Sequence, residues 1–299
     1  MKIPPYLKPG DTVAIAAPAR KISEEEIQPA VQLLRKEGFS VYYDERLFAQ
    51  CHQFAGDDET RAGYIQELLD NPSIKAVWFA RGGYGSARII DRLDFSTFQQ
   101  NPKWLVGYSD VTVFHVHVHR LNIATLHATM PVNVHNEELG SEANRSLLDA
   151  LRGKSLRYEI PAHPLTRAGE FSAPVIGGNL SILYSLMGTP SEPDTDGKVL
   201  FVEDLDEYLY HIDRMMTSLD RGGKLKHLAG LLVGHLSDMH DNTIPYGKTA
   251  EEIVFEHCQP YHYPIIFNFP AGHENLNLPV KMGCTLNCHT TNQSITIEF

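Results

Sequence analysis

Three residue types suited to nucleophilic acyl transfer stand out: a serine on a tight turn, an acid ending an apolar run, and a histidine in a glycine-led loop. They are Ser109, Glu203 and His273. A serine becomes a nucleophile when a base lies within hydrogen-bond reach and a carboxylate orients that base. Ser109 stands in Trp104-Leu-Val-Gly-Tyr-Ser-Asp110. Apolar residues end a buried strand, Gly107 permits the turn, and Asp110 opens the next segment. Such a turn lifts the serine out of the sheet and aims backbone N–H groups at whatever it attacks. Val111 occupies the second glycine position of a Gly-x-Ser-x-Gly elbow. The local sequence therefore serves a helix-capping serine equally well.

The chain carries 15 histidines, so the presence of one near a serine decides nothing. Context selects His273, in Pro270-Ala-Gly-His273 after an expected strand Ile265–Phe269, against a loop histidine without a role. Glu203 is the first residue after Leu200-Phe-Val202, and it leads an acidic group with Asp204, Asp206 and Glu207. Most charge runs are solvated faces, but the residue at the strand end is the one held most rigidly. Arg81-Gly-Gly-Tyr-Gly85 is either a tight strand-to-helix connection or a loop with amides free to face an anion. Beside Ser109, such amides and that of Asp110 would hold a tetrahedral oxyanion, each donor contributing about 3 kcal/mol.

A rival chemistry lies in Val113-Phe-His115-Val-His117-Val-His119. As a strand this places three imidazoles on one face, as in a three-histidine zinc site. As a helix only His115 and His119 share a face, beside an apolar stripe of Val111, Phe114, Val118 and Leu121. A strand ends at Val106 and another apolar run starts at Ile123, and a parallel sheet needs a crossover between them, so the segment is read as a helix. Cys284-x-x-x-Cys288-His289 lacks a second ligand pair and is read as packing, so neither metal nor cofactor is expected.

The elements that must position these groups follow from periodicity. Residues 12–19 read as a strand. Ser23 and Glu26 form a capping box ahead of a helix through Ile27, Ala30, Val31 and Leu34, closed by Gly38. Phe39–Tyr43, Ile74–Ala80 and Trp104–Val106 read as strands, with helices over 58–70 and through Ile89, Ile90 and Leu93 between them. This β-α alternation predicts an α/β fold, a parallel-sheet, Rossmann/flavodoxin-like domain over 1–152, with Gly82, Gly83 and Ser109 at the carboxyl edge where ligands bind. A proline-containing stretch, 153–170, reads as a linker. Residues 171–299 read as a smaller α+β domain rich in β: a helix through Leu180, Leu183 and Met187, strands Val199–Val202, Leu228–Leu236 and Ile265–Phe269, a helix Tyr210–Leu219, and a hairpin around Thr290–Gln293.

Composition narrows the function classes. The 299 residues are 42% hydrophobic and 21% charged, ordinary for a globular protein with a large core. No apolar run approaches a membrane span of about 20 residues, and the N-terminus lacks the apolar core of a signal peptide, which predicts a cytoplasmic protein without a membrane partner. A net charge of −11 argues against nucleic acid. The four cysteines are irregularly spaced and form no disulfide framework.

Taken together, Gly107-Tyr-Ser-Asp110, Arg81-Gly-Gly-Tyr-Gly85, Glu203-Asp204 and Gly272-His273 resemble the LD-carboxypeptidases, the serine peptidase family that includes muramoyltetrapeptide carboxypeptidase and the microcin-immunity peptidases. The resemblance spans nearly the whole chain. It runs from Leu7-Lys-Pro-Gly-Asp-Thr-Val-Ala-Ile-Ala-Ala-Pro18 through Ile176-Gly-Gly-Asn-Leu180 and Ile212-Asp-Arg-Met215 to Leu278-Pro279. It implies Ser109 as nucleophile, Glu203 and His273 as its partners, and the amides of Gly83 and Asp110 as the oxyanion hole. Arg81, Gly82 and Tyr84 would complete a substrate loop. It further implies a metal-free homodimer whose substrate is a small peptide, murein tetrapeptide, from which the terminal D-alanine is released across an L-to-D bond. Three alternatives remain: a microcin-immunity-type enzyme cleaving an amide near a nucleotide, a three-histidine metalloenzyme, and a non-catalytic small-ligand binding protein. The compact chain, with Trp78 and Trp104 both in expected core strands, favours the muropeptide reading over the nucleotide one.

Overall fold

A computed structural model describes residues 1–135, 140–290 and 294–299. The chain divides into two compact units, Met1–Lys154 with Leu278–Lys281, and Ser155–Asn277 with Met282–Phe299. In chain order the first contains β1 (Thr12–Ala16), α1 (Glu24–Lys36), β2 (Ser40–Tyr42), α2 (Asp58–Asp70), β3 (Ile74–Phe79), α3 (Ser86–Ile89), α4 (Ser96–Gln100), β4 (Trp104–Gly107), α5 (Thr112–Arg120), β5 (Thr125–His127) and α6 (Glu142–Leu151). There follow β6 (Arg157–Pro161), β7 (Glu170–Asn179), α7 (Leu180–Ser185), β8 (Val199–Leu205), α8 (Leu209–Arg221), β9 (Gly230–Ser237), α9 (Ala250–Cys258), β10 (Ile265–Ile266), β11 (Val280–Met282), β12 (Thr285–Thr290) and β13 (Ser294–Glu298).

The first sheet has the order β11-β5-β4-β3-β1-β2. Its pairs β1–β2, β1–β3, β3–β4 and β4–β5 are all parallel. Continuous burial of Val13–Ala16, Ala76–Phe79 and Trp104–Val106 is what a sheet covered on both faces requires, and it explains why these strands read as unbroken apolar runs. The α1 capping box forms as expected, Glu26 N–H donating to Ser23 Oγ at 3.2 Å and Ser23 N–H to Glu26 Oε2 at 2.8 Å.

The second sheet has the order β10-β9-β8-β7-β12-β13-β6. It is parallel from β10 to β7 and antiparallel from β7 through β12 and β13 to β6. The structure departs from expectation in several places. Residues 157–161, read as linker, form edge strand β6, because the alternation Tyr158 and Ile160 inward against Arg157 and Glu159 outward outweighs the flanking prolines. The second region is not continuous to the C-terminus, since Leu278–Lys281 returns to the first unit and β11 extends its sheet beyond β5. Strand β10 stops at Ile266, ahead of Asn268, which takes a left-handed φ of 59°. Helix α7 closes at Ser185, before Met187. Strands β12 and β13 pair antiparallel as the expected hairpin, whose tip, 291–293, lies outside the described residues.

Candidate active site

Ser109 occupies a 3₁₀ turn, 109–111, that joins β4 to α5. Its φ is +63°, a left-handed conformation that costs a non-glycine residue about 1–2 kcal/mol. The surrounding packing over-determines that conformation. Gly107 has φ +157°, and a Cβ there would meet Val111 Cγ2 at 2.9 Å. Val111 N–H closes the turn on the Tyr108 carbonyl at 3.2 Å, and Tyr108 O–H donates to Asn133 at 3.1 Å. Ser109 itself is partly exposed between buried Tyr108 and Asp110.

The glycine loop lies against this turn. A Cβ on Gly82 would stand 2.9 Å from Ser109 Cβ, 3.0 Å from Ser109 Oγ and 3.4 Å from the Asp110 nitrogen. Only hydrogen in place of a side chain permits that approach. Gly83 has φ +105° and packs on the Arg20 side chain. Arg81 pairs with Glu26 at 3.1 Å, and Tyr84 is half exposed near Phe54. The Asp110 carboxylate is buried and accepts Ser86 N–H at 2.8 Å.

The three histidines resolve as a helix. His115 is buried, with Nε2 2.8 Å from the Gly107 carbonyl and Nδ1 2.8 Å from Thr125 Oγ1. The carbonyl can only accept, so Nε2 carries the proton and Nδ1 accepts from the threonine. Burial pushes its pKa down to about 4. His115 is thus a neutral strut that ties α5 to the end of β4. His117 points elsewhere and packs on Phe95, and among the described residues no group of three His, Cys, Asp or Glu side chains is disposed to hold a metal.

In the second unit Glu203 and His273 meet, Nδ1 to Oε2, at 2.7 Å. Glu203 is fully buried and the His273 side chain 10% exposed. Each comes from a carboxyl-terminal end: Glu203 from β8, His273 from the loop after β10. Opposite Glu203 the β8–β9 ladder slips, so that Gly234 and His235 face one residue; this β-bulge opens the ladder where the carboxylate sits. Two glycines make room for it. A Cβ on Gly234 would stand 3.1 Å from Glu203 Cβ, and one on Gly272 (φ +132°) 3.0 Å from Glu203 Oε2. Burial alone would lower the His273 pKa, but the Glu203 charge and hydrogen bond, with Asp204 behind, outweigh it and leave the pKa above the ordinary histidine value.

The expected acidic patch divides. Asp206 is exposed and Glu207 pairs with His211, whereas Asp204 is buried beside Glu203. Asp204 accepts from Asn179 Nδ2 at 2.8 Å, Ser181 N–H at 2.8 Å and Leu205 N–H at 2.9 Å. Burial and the Glu203 charge push its pKa up to about 7. Sequence reasoning missed Asp204, Ser86 and the buried Arg61. Asp204 has a local signal, adjacency to Glu203 at a strand end; Arg61, on an amphipathic helix, has none. The structure therefore brings Ser109 together with Gly82 and Asp110 in one unit, and Glu203 with His273 in the other.

Comparison with known proteins shows the family to which both parts of the chain belong. The LD-carboxypeptidase N-terminal domain matches residues 13–128, and the LD-carboxypeptidase C-terminal domain residues 172–287. A probable murein peptide carboxypeptidase of Bacillus subtilis is 33% identical over 99% of this chain and 94% of its own. The crystal structure of muramoyltetrapeptide carboxypeptidase from Oxalobacter formigenes superposes with a TM-score of 0.87 at 26% identity, covering 96% of this chain and 98% of that one. The microcin C7 self immunity protein MccF shares the fold, with a TM-score of 0.85 at 20% identity over 99% of this chain and 98% of its own. The chain belongs to the LD-carboxypeptidase family of serine-type carboxypeptidases.

Proposed function

We propose that this enzyme releases the terminal D-alanine of murein tetrapeptide by hydrolysing the L-to-D peptide bond through an acyl-enzyme on Ser109. The observation that carries the reading is the buried 2.7 Å contact between His273 Nδ1 and Glu203. A buried carboxylate accepting from Nδ1–H fixes the tautomer and leaves the basic lone pair on Nε2. In the reaction Ser109 Oγ attacks the carbonyl preceding D-alanine while its proton passes to His273 Nε2. Glu203 stabilises the imidazolium so formed. The amides of Gly83 and Asp110 hold the oxyanion. As the C–N bond breaks, His273 returns the proton to the departing amine. Water, deprotonated by His273, then hydrolyses the ester and restores Ser109. The tightness of Gly82 against Ser109 and the left-handed serine support the nucleophile assignment. The proposal extends to a cytoplasmic homodimer, as the family resemblance implies.

The test is mass analysis of murein tetrapeptide after incubation with wild type and Ser109→Ala. Wild type is expected to release one alanine, and the variant, with an unchanged circular dichroism spectrum, to lose at least about 10³-fold in kcat. Undiminished release by the variant removes the serine from the mechanism, and a product other than tripeptide plus alanine removes the substrate assignment.

A further inference from the structure

The buried carboxylate that follows Ser109 has no step in the reaction above, yet it spans the two backbone segments on which the oxyanion chemistry depends. Asp110 is 1% exposed. Its Oδ2 accepts the N–H of Ser86, the first residue after the Arg81–Gly85 loop, at 2.8 Å. The same loop is also held from elsewhere in the unit. Arg20 N–H donates to the Gly82 carbonyl at 3.3 Å, and Arg61 Nη1 donates to the Gly85 carbonyl at 3.1 Å. Arg61 is itself buried and also donates to the Pro18 carbonyl. Of these ties, the one from Asp110 starts on the serine turn.

We propose that the Asp110 side chain is a positioning residue that sets the separation between the Asp110 and Gly83 amides by tying the glycine loop to the serine turn. The inference rests on the acyl-enzyme reading of Ser109. One residue supplies one oxyanion donor from its backbone and aims the other through its side chain. With the tie removed, Ser86 N–H loses its acceptor, and the Gly82–Gly83 segment keeps van der Waals contact with the serine turn and the β3–β4 ladder behind it. A shift well under an ångström suffices to lengthen a donor contact that matters in the transition state and not in the ground state. The second carboxylate oxygen, Oδ1, and Ser86 Oγ are both buried without a hydrogen-bond partner.

The test compares wild type, Asp110→Ala, Asp110→Asn and Ser109→Ala on murein tetrapeptide, with rates normalised to the folded fraction from near-ultraviolet circular dichroism. A peptidyl boronic acid, which forms a tetrahedral adduct on an active serine, gives a second readout. Asp110→Ala is expected to lower kcat about 10²-fold, the cost of one misplaced oxyanion donor, with KM within about threefold. The boronate Ki should rise in parallel with the loss in kcat. Asp110→Asn keeps an acceptor for Ser86 N–H and should recover at least about tenfold of that loss. If Asp110→Ala fails to fold, Asp110→Val fills the same buried volume and repeats the measurement. A kcat per folded molecule equal to wild type overturns the proposal, as does a loss that Asparagine fails to recover or that leaves boronate affinity unchanged. Turnover retained by Ser109→Ala would instead sink the reading on which the proposal rests.

Discussion

The pairing of His273 with Glu203 makes the sharpest prediction, because burial and charge act on the imidazole in opposite directions. In wild type the charge prevails and the pKa stands above the ordinary value. Burial is the largest single influence on His273, and only the Glu203 charge, its hydrogen bond and the Asp204 charge together outweigh it, so removing the Glu203 charge tips the balance. Glu203→Gln retains side-chain volume and an oxygen able to accept Nδ1–H. Burial then opposes only the remaining hydrogen bond and the Asp204 charge, and the pKa falls. In the proposed mechanism His273 must be neutral to accept the serine proton. The acid limb of kcat/KM should therefore move to lower pH, while the plateau falls about 10³–10⁴-fold as the imidazolium loses its partner. The assay is a kcat/KM profile from pH 5 to 9 with a chromogenic or mass-detected LD-peptide. The folded His273 pKa is raised, so the pair adds stability below the unfolded pKa, and that stability is lost as pH rises through the folded pKa. Thermal melts of wild type should accordingly fall across that window more steeply than those of Glu203→Gln. An acid limb at the wild-type position in the variant would refute the reasoning, because the ionisation that controls turnover would then not be that of His273 beside a charged Glu203.

Two further substitutions test the supports of the serine. Gly82→Ala places a methyl 2.9 Å from Ser109 Cβ and 3.0 Å from its Oγ, so kcat should fall at least about tenfold with a small change in Tm; a normal kcat would show that the loop and serine move apart without cost. His115, with its pKa pushed down to about 4, contributes stability above the unfolded value near 6.5 that is lost as pH falls toward 4. Urea unfolding should show roughly 2–3 kcal/mol of acid destabilisation between pH 7 and 4.5 that His115→Leu lacks, on top of a cost at pH 7 of about 2–4 kcal/mol for orphaning Gly107 and Thr125.

Much of this arrangement is legible before any coordinates. The parallel strands announce themselves because burial on both faces demands unbroken apolar runs, and α1 because its capping box satisfies two orphan N–H groups reciprocally. The helix over 112–120 could be chosen over a metal-binding strand because parallel neighbours need a crossover, although its valines argue the other way. Strand β6 was not legible: flanking prolines mimic a linker, and the partner that pairs it, β13, lies more than a hundred residues away. The return of Leu278–Lys281 to the first unit has no local signature either.

By itself the chain determined which side chains are chemically equipped, since a turn glycine, an acid at a strand end and a glycine-led histidine are local patterns with local causes. Tertiary structure alone decided their states. Glu203 and Asp206 belong to one acidic run, yet a bulge and two glycines bury the first against His273 while the other stays in water. His115 and His273 are the same residue type, yet one is held neutral by burial and the other is biased toward its cation by a neighbouring charge. Solvent exclusion and the distance between charges are properties of packing between segments far apart in the chain, so no window of sequence contains them.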